Sequence, residues 1–240
     1  MLRCPLEMPG GHLILHHDGH TLLLATGSPV SMGRRSTYHF LDREIPVLRR
    51  YQGMTMEQWS ESVGVNVDAL LGCDVLGRHA VTIDPEAGEV VFDEDPPRPS
   101  SGVAPLGTVA GMPVVEVGVA GRRLRALFHT GATLSCFREV DTRTQRCVGM
   151  ARDCYPGQGE FTTVLRAVTL MLGDREVSLE CGILPPAIEH ALRPVDVHGI
   201  VGTDLLRAFV VGWGPGFSEL RLVALPFTAP VRVARLEVAQ

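Results

Sequence analysis

Two hydrophobic runs of the chain end in the same short turn. The first, residues 22–31, reads Leu-Leu-Leu-Ala-Thr-Gly-Ser-Pro-Val-Ser, and the second, residues 126–135, reads Ala-Leu-Phe-His-Thr-Gly-Ala-Thr-Leu-Ser. Each has a later companion, Leu-Leu-Gly-Cys-Asp at 70–74 and Ile-Val-Gly-Thr-Asp at 200–204. Short apolar runs bounded by glycine turns are typical of buried strands. The pattern therefore predicts a tandem repeat of one β unit.

Alternating apolar segments around turn signals predict hairpins over much of the remaining chain. Residues 12–24 are two apolar runs around Asp-Gly, and residues 81–92 are two runs around Pro-Glu-Ala-Gly. Thr55 followed by Gln58 indicates the start of a short helix, and the prolines that open residues 185–192 indicate another. The predicted fold is all-β with a few short helices.

A proline-rich stretch separates the two halves. Residues 93–105 are rich in proline, acidic and small residues, which favour solvent over a sheet. We therefore expect an N-terminal lobe over residues 1–94, a linker over 95–106 and a C-terminal lobe over 107–240.

The spacing of the repeated elements differs between the halves. Gly72 and Gly202 are 130 positions apart, whereas Ala25 and His129 are 104 apart. The second half thus carries 26 more residues between its turn and its glycine element. We expect the additional residues in a hairpin that follows the second turn.

The motifs resemble those of retropepsin-like aspartic proteases, in which a hydrophobic strand, Asp-Thr/Ser-Gly and a later hydrophobic-hydrophobic-Gly element follow one another. The resemblance implies two lobes related by an internal pseudo-twofold, with flaps over a groove between them, in a monomer. The chain departs from the family at the catalytic position, where Ala25 and His129 stand in place of aspartate. The expected loop scaffold is Thr26, Gly27, Ser28, Thr130, Gly131 and Ala132.

The resemblance also implies a hairpin flap after each turn. Residues 33–50 are the candidate flap of the first half, and residues 153–161 the candidate of the second. Tyr155 is the residue that we most readily expect to contact a ligand, and His198 is expected close to the site. The expected groove and flap residues are Tyr38, Phe40, Tyr155, Pro156, Gly157, Gln158 and His198.

The chemistry of an aspartic protease requires two carboxylates that share one proton. Ala25 has no polar side-chain atom, and His129 has no acidic partner in the opposite loop. We therefore interpret the chain as an inactive protease relative that binds an extended peptide or protein segment in the groove. The alternatives are a peptidase with His129 as general base, an active protease inactivated by mutation at 25 or 129, and a purely structural domain.

Several other residues have structural interpretations. Asp74 and Asp204 are expected at the start of short helices after the glycine elements. Trp59 and Trp213 are expected in the core. Cys136 is a nucleophile in type, but its position gives no geometric support for activation by His129.

Composition and charge exclude some functions. A net charge of −5 provides no basic face for nucleic acid. No run has the length of a membrane helix, and the N-terminus lacks the apolar stretch of a signal peptide, so we expect a cytoplasmic protein with reduced cysteines. We expect no cofactor and no metal, because the Asp-Gly turn accounts for the histidines around Asp18.

Overall fold

The structure is a computed structural model that describes residues 1–93, 102–155 and 159–226. Pro156, Gly157 and Gln158 of the expected second flap lie outside the described residues, as do positions 95–101 of the expected linker. Within the described ranges, no helix has the length and apolarity that crossing a membrane requires.

The first half is built from short strands and two helices. Its elements are β1 (Leu2–Glu7), β2 (Ile14–His17), β3 (His20–Leu24), β4 (Met32–Gly33), β5 (Thr37–Phe40), β6 (Arg43–Pro46), β7 (Arg50–Tyr51), β8 (Met54–Thr55), α1 (Met56–Val63), β9 (Ala69–Leu71), α2 (Cys73–Leu76), β10 (Val81–Asp84) and β11 (Glu89–Phe92).

The described part of the second half contains ten strands and two short α-helices. Its elements are β12 (Val103–Val109), β13 (Met112–Val119), β14 (Arg122–Phe128), β15 (Cys136–Phe137), α3 (Glu139–Thr142), β16 (Cys147–Tyr155), β17 (Gly159–Leu172), β18 (Arg175–Ile183), α4 (Pro186–Leu192), β19 (Gly199–Val201), β20 (Phe209–Trp213) and β21 (Glu219–Ala224). A 3₁₀ segment, Thr203–Arg207, takes the place of α2.

The predicted hairpins and helix starts are confirmed. Strands β2 and β3 pair around Asp18 and Gly19, whose positive φ angles of 48° and 72° suit a tight two-residue turn. Gln58 Oε1 accepts a hydrogen bond from the Thr55 amide at 2.9 Å, immediately before α1. The helix ends at Gly64 in the left-handed conformation.

Each repeated motif forms one buried parallel pair. Strand β3 runs parallel to β9, and β14 runs parallel to β19. In β3, Leu22 and Leu24 pack into the main core while Leu23 packs into a separate cluster of the first half. Because both faces of these strands are buried, their sequences are continuous apolar runs.

A six-stranded antiparallel sheet joins the two halves in the order β1, β11, β10, β20, β21, β12. Each half supplies three strands, and β10 pairs with β20 at the centre, with Val81 opposite Trp213. The main core lies against this sheet and draws residues from both halves. The two lobes therefore share one core.

The C-terminal end of the expected linker is a strand. Residues 103–106 belong to β12. Its residues up to Pro105 pair with β21, and those from Leu106 onward pair with β13. Proline is tolerated here because β12 is an edge strand of the six-stranded sheet. In the first half β1 plays the same part, pairing with both β11 and β2.

Crossed hydrogen bonds join the two Thr-Gly turns. The Thr26 amide donates to Thr130 Oγ1 and the Thr130 amide donates to Thr26 Oγ1, each at 3.0 Å. Thr26 Oγ1 donates to the Phe128 carbonyl at 2.6 Å, and Thr130 Oγ1 donates to the Leu24 carbonyl at 3.0 Å. Both threonines are buried, so these hydroxyls satisfy four backbone groups that water does not reach.

We predict that Thr130→Val lowers the free energy of unfolding by about 1–3 kcal/mol, because valine keeps the shape but leaves the Thr26 amide and the Leu24 carbonyl unpaired. Urea denaturation measures the change. The matched control is Thr108→Val at an exposed site in β12, for which a change within about 0.5 kcal/mol is expected. Equal stability of the two variants would contradict this account of the turns.

Candidate functional site

The two Thr-Gly turns place positions 25 and 129 side by side at the junction of the lobes. Ala25 follows β3 and His129 follows β14, and the turns close alike. The Ser28 amide donates to the Ala25 carbonyl at 3.0 Å, and the Ala132 amide donates to the His129 carbonyl at 3.1 Å. Ala25 is buried in an apolar cluster of the first half.

The His129 ring lies against Gly27 of the opposite turn. A Cβ atom at Gly27 would be 2.1 Å from His129 Nε2, and a Cβ atom at Gly131 would be 2.7 Å from His129 Cε1. No side chain larger than hydrogen fits at position 27 while the ring keeps this place. The two glycines thus accommodate an imidazole between the turns.

A backbone hydrogen bond selects the tautomer of His129. The Gly131 amide donates to His129 Nδ1 at 2.9 Å, so Nδ1 is an acceptor and the neutral ring carries its proton on Nε2. Nε2 has no hydrogen-bond partner among the described residues. The unprotonated nitrogen that a general base requires is therefore occupied by the backbone.

Burial lowers the pKa of His129 from 6.5 to about 4, and the nearby His12 imidazole lowers it further in the same direction. Burial also lowers the pKa of His12. Its Nδ1 is buried and has no hydrogen-bond partner within the described ranges. At neutral pH the site therefore holds two uncharged imidazoles.

A repeated serine–aspartate pair supports each turn. Ser31 Oγ donates to Asp74 Oδ1 at 2.7 Å and accepts from the Gly72 amide. Ser135 Oγ donates to Asp204 Oδ1 at 2.6 Å and accepts from the Gly202 amide. The aspartates begin α2 and the 3₁₀ segment as expected, and they also hold each turn against its glycine element.

A cleft of about 190 Å³ lies over the turns. Its walls are mostly apolar, and within the described part of the chain no acidic side chain lines it. The lining residues are Ala25, Gly27, Ser28, Tyr51, Gln52, Trp59, Met112, Leu127, His129, Tyr155, Ile188, Ala191, Leu192 and Ile200.

The hairpin that reaches the cleft from the first half is β7–β8. Tyr51 and Gln52 line the cleft, and Gln52 and Gly53 form its turn with φ angles of 48° and 79°. From the second half, β16 ends at Tyr155 beside the cleft, and the Tyr155 ring meets the His129 ring edge to face at 6.4 Å. Tyr155 therefore lines the cleft, and its contact with a ligand stays a prediction.

The prediction that Tyr38 and Phe40 face the groove is wrong. Both are buried in the main core. Tyr38 donates from its hydroxyl to the Asp68 carbonyl at 2.7 Å, and Phe40 packs edge to face on Phe92. Strand β5 buries one of its faces in the core, which leaves the turn at Gly53 to approach the cleft.

His198 also lies away from the cleft. Its Nδ1 pairs with Asp141 Oδ2 at 2.9 Å and its Nε2 with Asp196 Oδ1 at 3.2 Å. The buried Asp141 also accepts from Arg122 at 2.6 Å. These contacts make His198 part of an ionic network behind the turn, and it is not among the residues that line the cleft.

Several cleft residues are missed by sequence reasoning. Trp59 of α1 lines the cleft, contrary to its expected place in the core, and its Nε1 is buried without a partner among the described residues. Helix α4 contributes Ile188, Ala191 and Leu192. Their spacing of three and four positions marks one helix face, which is the signal that identifies them.

Cys136 does not supply a nucleophile. It is fully buried in the core of the second half and does not line the cleft. Burial raises the pKa of its thiol well above the usual range, which suppresses the reactive thiolate. Among the described residues, no group of three or more His, Cys, Asp and Glu side chains is arranged to hold a metal ion.

Comparison with known proteins supports the fold. No protein-family model matches the chain, and no curated protein matches it by sequence. In structure it is similar to an aspartic proteinase from Irpex lacteus, with a TM-score of 0.56 and 12% identity over 96% of this chain and 99% of that chain. The predicted all-β fold, similar to that of an aspartic proteinase, is confirmed. At this identity the likeness shows the fold alone.

We predict that His129 titrates near pH 4 in the folded protein, as followed by NMR of isotope-labelled histidine. The unfolded chain binds this proton as the pH falls below about 6.5, whereas the folded protein binds it only near pH 4. The free energy of unfolding therefore decreases as the pH falls from about 6.5 to about 4. Over this pH range, the free energy of unfolding of the wild-type protein should fall by up to about 3 kcal/mol more than that of His129→Phe. Asp204, whose pKa burial raises to about 6, contributes equally to both proteins. Parallel stability profiles would contradict the prediction.

We predict that Gly27→Ala displaces the His129 ring, because the added Cβ would occupy the place of Nε2. The ring then becomes more hydrated, and its pKa rises from about 4 toward 6.5. The same NMR titration measures this shift. Gly107→Ala is the matched control, since a Cβ there meets no atom within 4 Å. An unchanged His129 pKa in Gly27→Ala would show that the ring does not rest on Gly27.

Proposed function

We propose that the protein binds an extended apolar peptide or protein segment in the cleft and does not hydrolyse it. The observation that carries the proposal is the combination of an intact crossed Thr26–Thr130 contact with Ala25 and His129 at the positions of the expected carboxylates. The turns, cleft and neighbouring hairpins are present, whereas the pair of acids that activates water in aspartic proteases is not.

Binding suits the surroundings of the cleft. Strand β7 and the end of β16 border it with Tyr51 and Tyr155, and hairpins beside a cleft offer backbone groups to an extended chain. The apolar walls from α4 and from Trp59 suit the side chains of such a segment. The occupied Nδ1 and the lowered pKa of His129 disfavour its use as a general base.

We predict no cleavage of a diverse peptide pool between about pH 4 and 8, because no acid–base pair lines the cleft among the residues that the structure describes. Mass spectrometry of new peptide termini checks this prediction, with His129→Ala measured in parallel. Cleavage that is present in the wild-type protein and lost in His129→Ala would contradict the proposal and assign His129 a catalytic role.

We also predict that peptides retained from the same pool bind in the cleft. Ala191→Arg places a long charged side chain at the exposed rim of the apolar cleft and should weaken binding at least about tenfold, since the arginine obstructs the place of an apolar segment and loses hydration where the segment covers it. Ala187→Arg is the matched control on an exposed part of the same helix. Equal weakening by both variants, or by neither, would place the peptide elsewhere.

A further inference from the structure

The inner part of the cleft offers one unpaired hydrogen-bond donor. His129 lines the cleft; its Nδ1 accepts from the Gly131 amide, and its Nε2–H has no partner among the described residues. Trp59 and Tyr155 also line the cleft. Their Nε1 and hydroxyl groups have no partner among the described residues, but both atoms are buried and therefore closed to a ligand in the cleft.

No charged side chain accompanies this donor. No Asp, Glu or Arg side chain is among the lining residues of the described cleft, and His129 is uncharged at neutral pH because burial lowers its pKa to about 4. The Ser28 hydroxyl donates to the Val30 carbonyl at 2.7 Å, and the Gln52 amide lies at the exposed turn of the β7–β8 hairpin. The floor is therefore neutral, with His129 Nε2–H as its unpaired donor.

An unpaired donor in a cleft is satisfied when a ligand or water supplies the acceptor. A pair of carboxylates at positions 25 and 129 would present several acceptors and one shared proton. The neutral imidazole presents an N–H and no free acceptor, because Nδ1 is already occupied. The complementary ligand group is therefore an oxygen acceptor next to apolar atoms.

We propose that the cleft recognises an apolar peptide residue through a carbonyl or carboxylate oxygen that accepts a hydrogen bond from His129 Nε2–H. This inference rests on the proposed function and names the chemistry of the bound group. The oxygen belongs either to an internal peptide bond or to a free C-terminus, and both sources present the same acceptor.

The test follows the His129 Nε2–H resonance by NMR while small probes are added. Isovaleramide and isovalerate carry an acceptor on a branched apolar chain, and isopentylamine carries a donor on a chain of the same kind. We expect the two acceptor probes to shift the resonance and the amine to leave it unchanged. Peptides retained from the pool are then compared as free acids and as C-terminal amides, which separates a terminal carboxylate from an internal carbonyl.

Variants assign the hydrogen bond. His129→Phe keeps a ring over Gly27 and removes the donor, and binding of the acceptor probes should weaken about threefold to tenfold. His16→Phe on the exposed face of β2 should have no effect. Thermal unfolding checks that each variant is folded. If His129→Phe does not fold, the shift of Nε2–H in the wild-type protein decides the question.

The outcomes separate this inference from the proposed function. Peptide binding at the cleft without a shift of Nε2–H, or a stronger shift with the amine, would overturn the inference and leave peptide binding in place. A shift with the acceptor probes but no retained peptide would support the acceptor chemistry and reject an extended peptide as ligand. No response to any probe or peptide would overturn both, with water as the partner of His129 Nε2–H.

Discussion

The crossed hydrogen bonds between Thr26 and Thr130 are the contact on which the rest of the site depends. Each hydroxyl accepts from the opposite amide and donates to a carbonyl of the opposite strand. Because both residues are buried, a shift of one turn would leave four polar backbone groups without partners. The contact thereby fixes the position of the parallel pair β3–β9 relative to the parallel pair β14–β19. Strands β10 and β20, which form the centre of the six-stranded sheet, follow β9 and β19 along the chain.

This contact is independent of the chemistry carried by the turns. It uses the residue after positions 25 and 129, so these positions can change while the turns keep their geometry. Gly27 then becomes the more restrictive position, because its missing side chain leaves the space in which the His129 ring lies. Because the threonine contact does not use positions 25 and 129, the chain can have a fold similar to that of an aspartic proteinase with alanine and histidine at these positions.

Local signals made the repeat and its hairpins predictable, whereas long-range packing decided the cleft. The Thr-Gly turns, the Asp-Gly hairpin and the start of α1 each depend on a few adjacent residues. Tyr38 and Tyr51 both lie in short hairpins of the first half, and the sequence of neither hairpin indicates which one approaches the cleft. Long-range packing decides this, because Tyr38 and Phe40 are buried in the main core. The prediction that Trp59 lies in the core is wrong for the same reason, since the sequence of a helix alone does not show what each of its faces packs against.

A histidine at position 129 sets what the floor offers to a ligand. A shared proton between two acids makes binding and catalysis depend on acidic pH, whereas a neutral imidazole with its proton on Nε2 keeps one donor throughout the range above its pKa of about 4. The Gly131 amide holds this state by occupying Nδ1. One hydrogen bond therefore occupies the ring nitrogen that could accept a proton and leaves the other nitrogen as a donor.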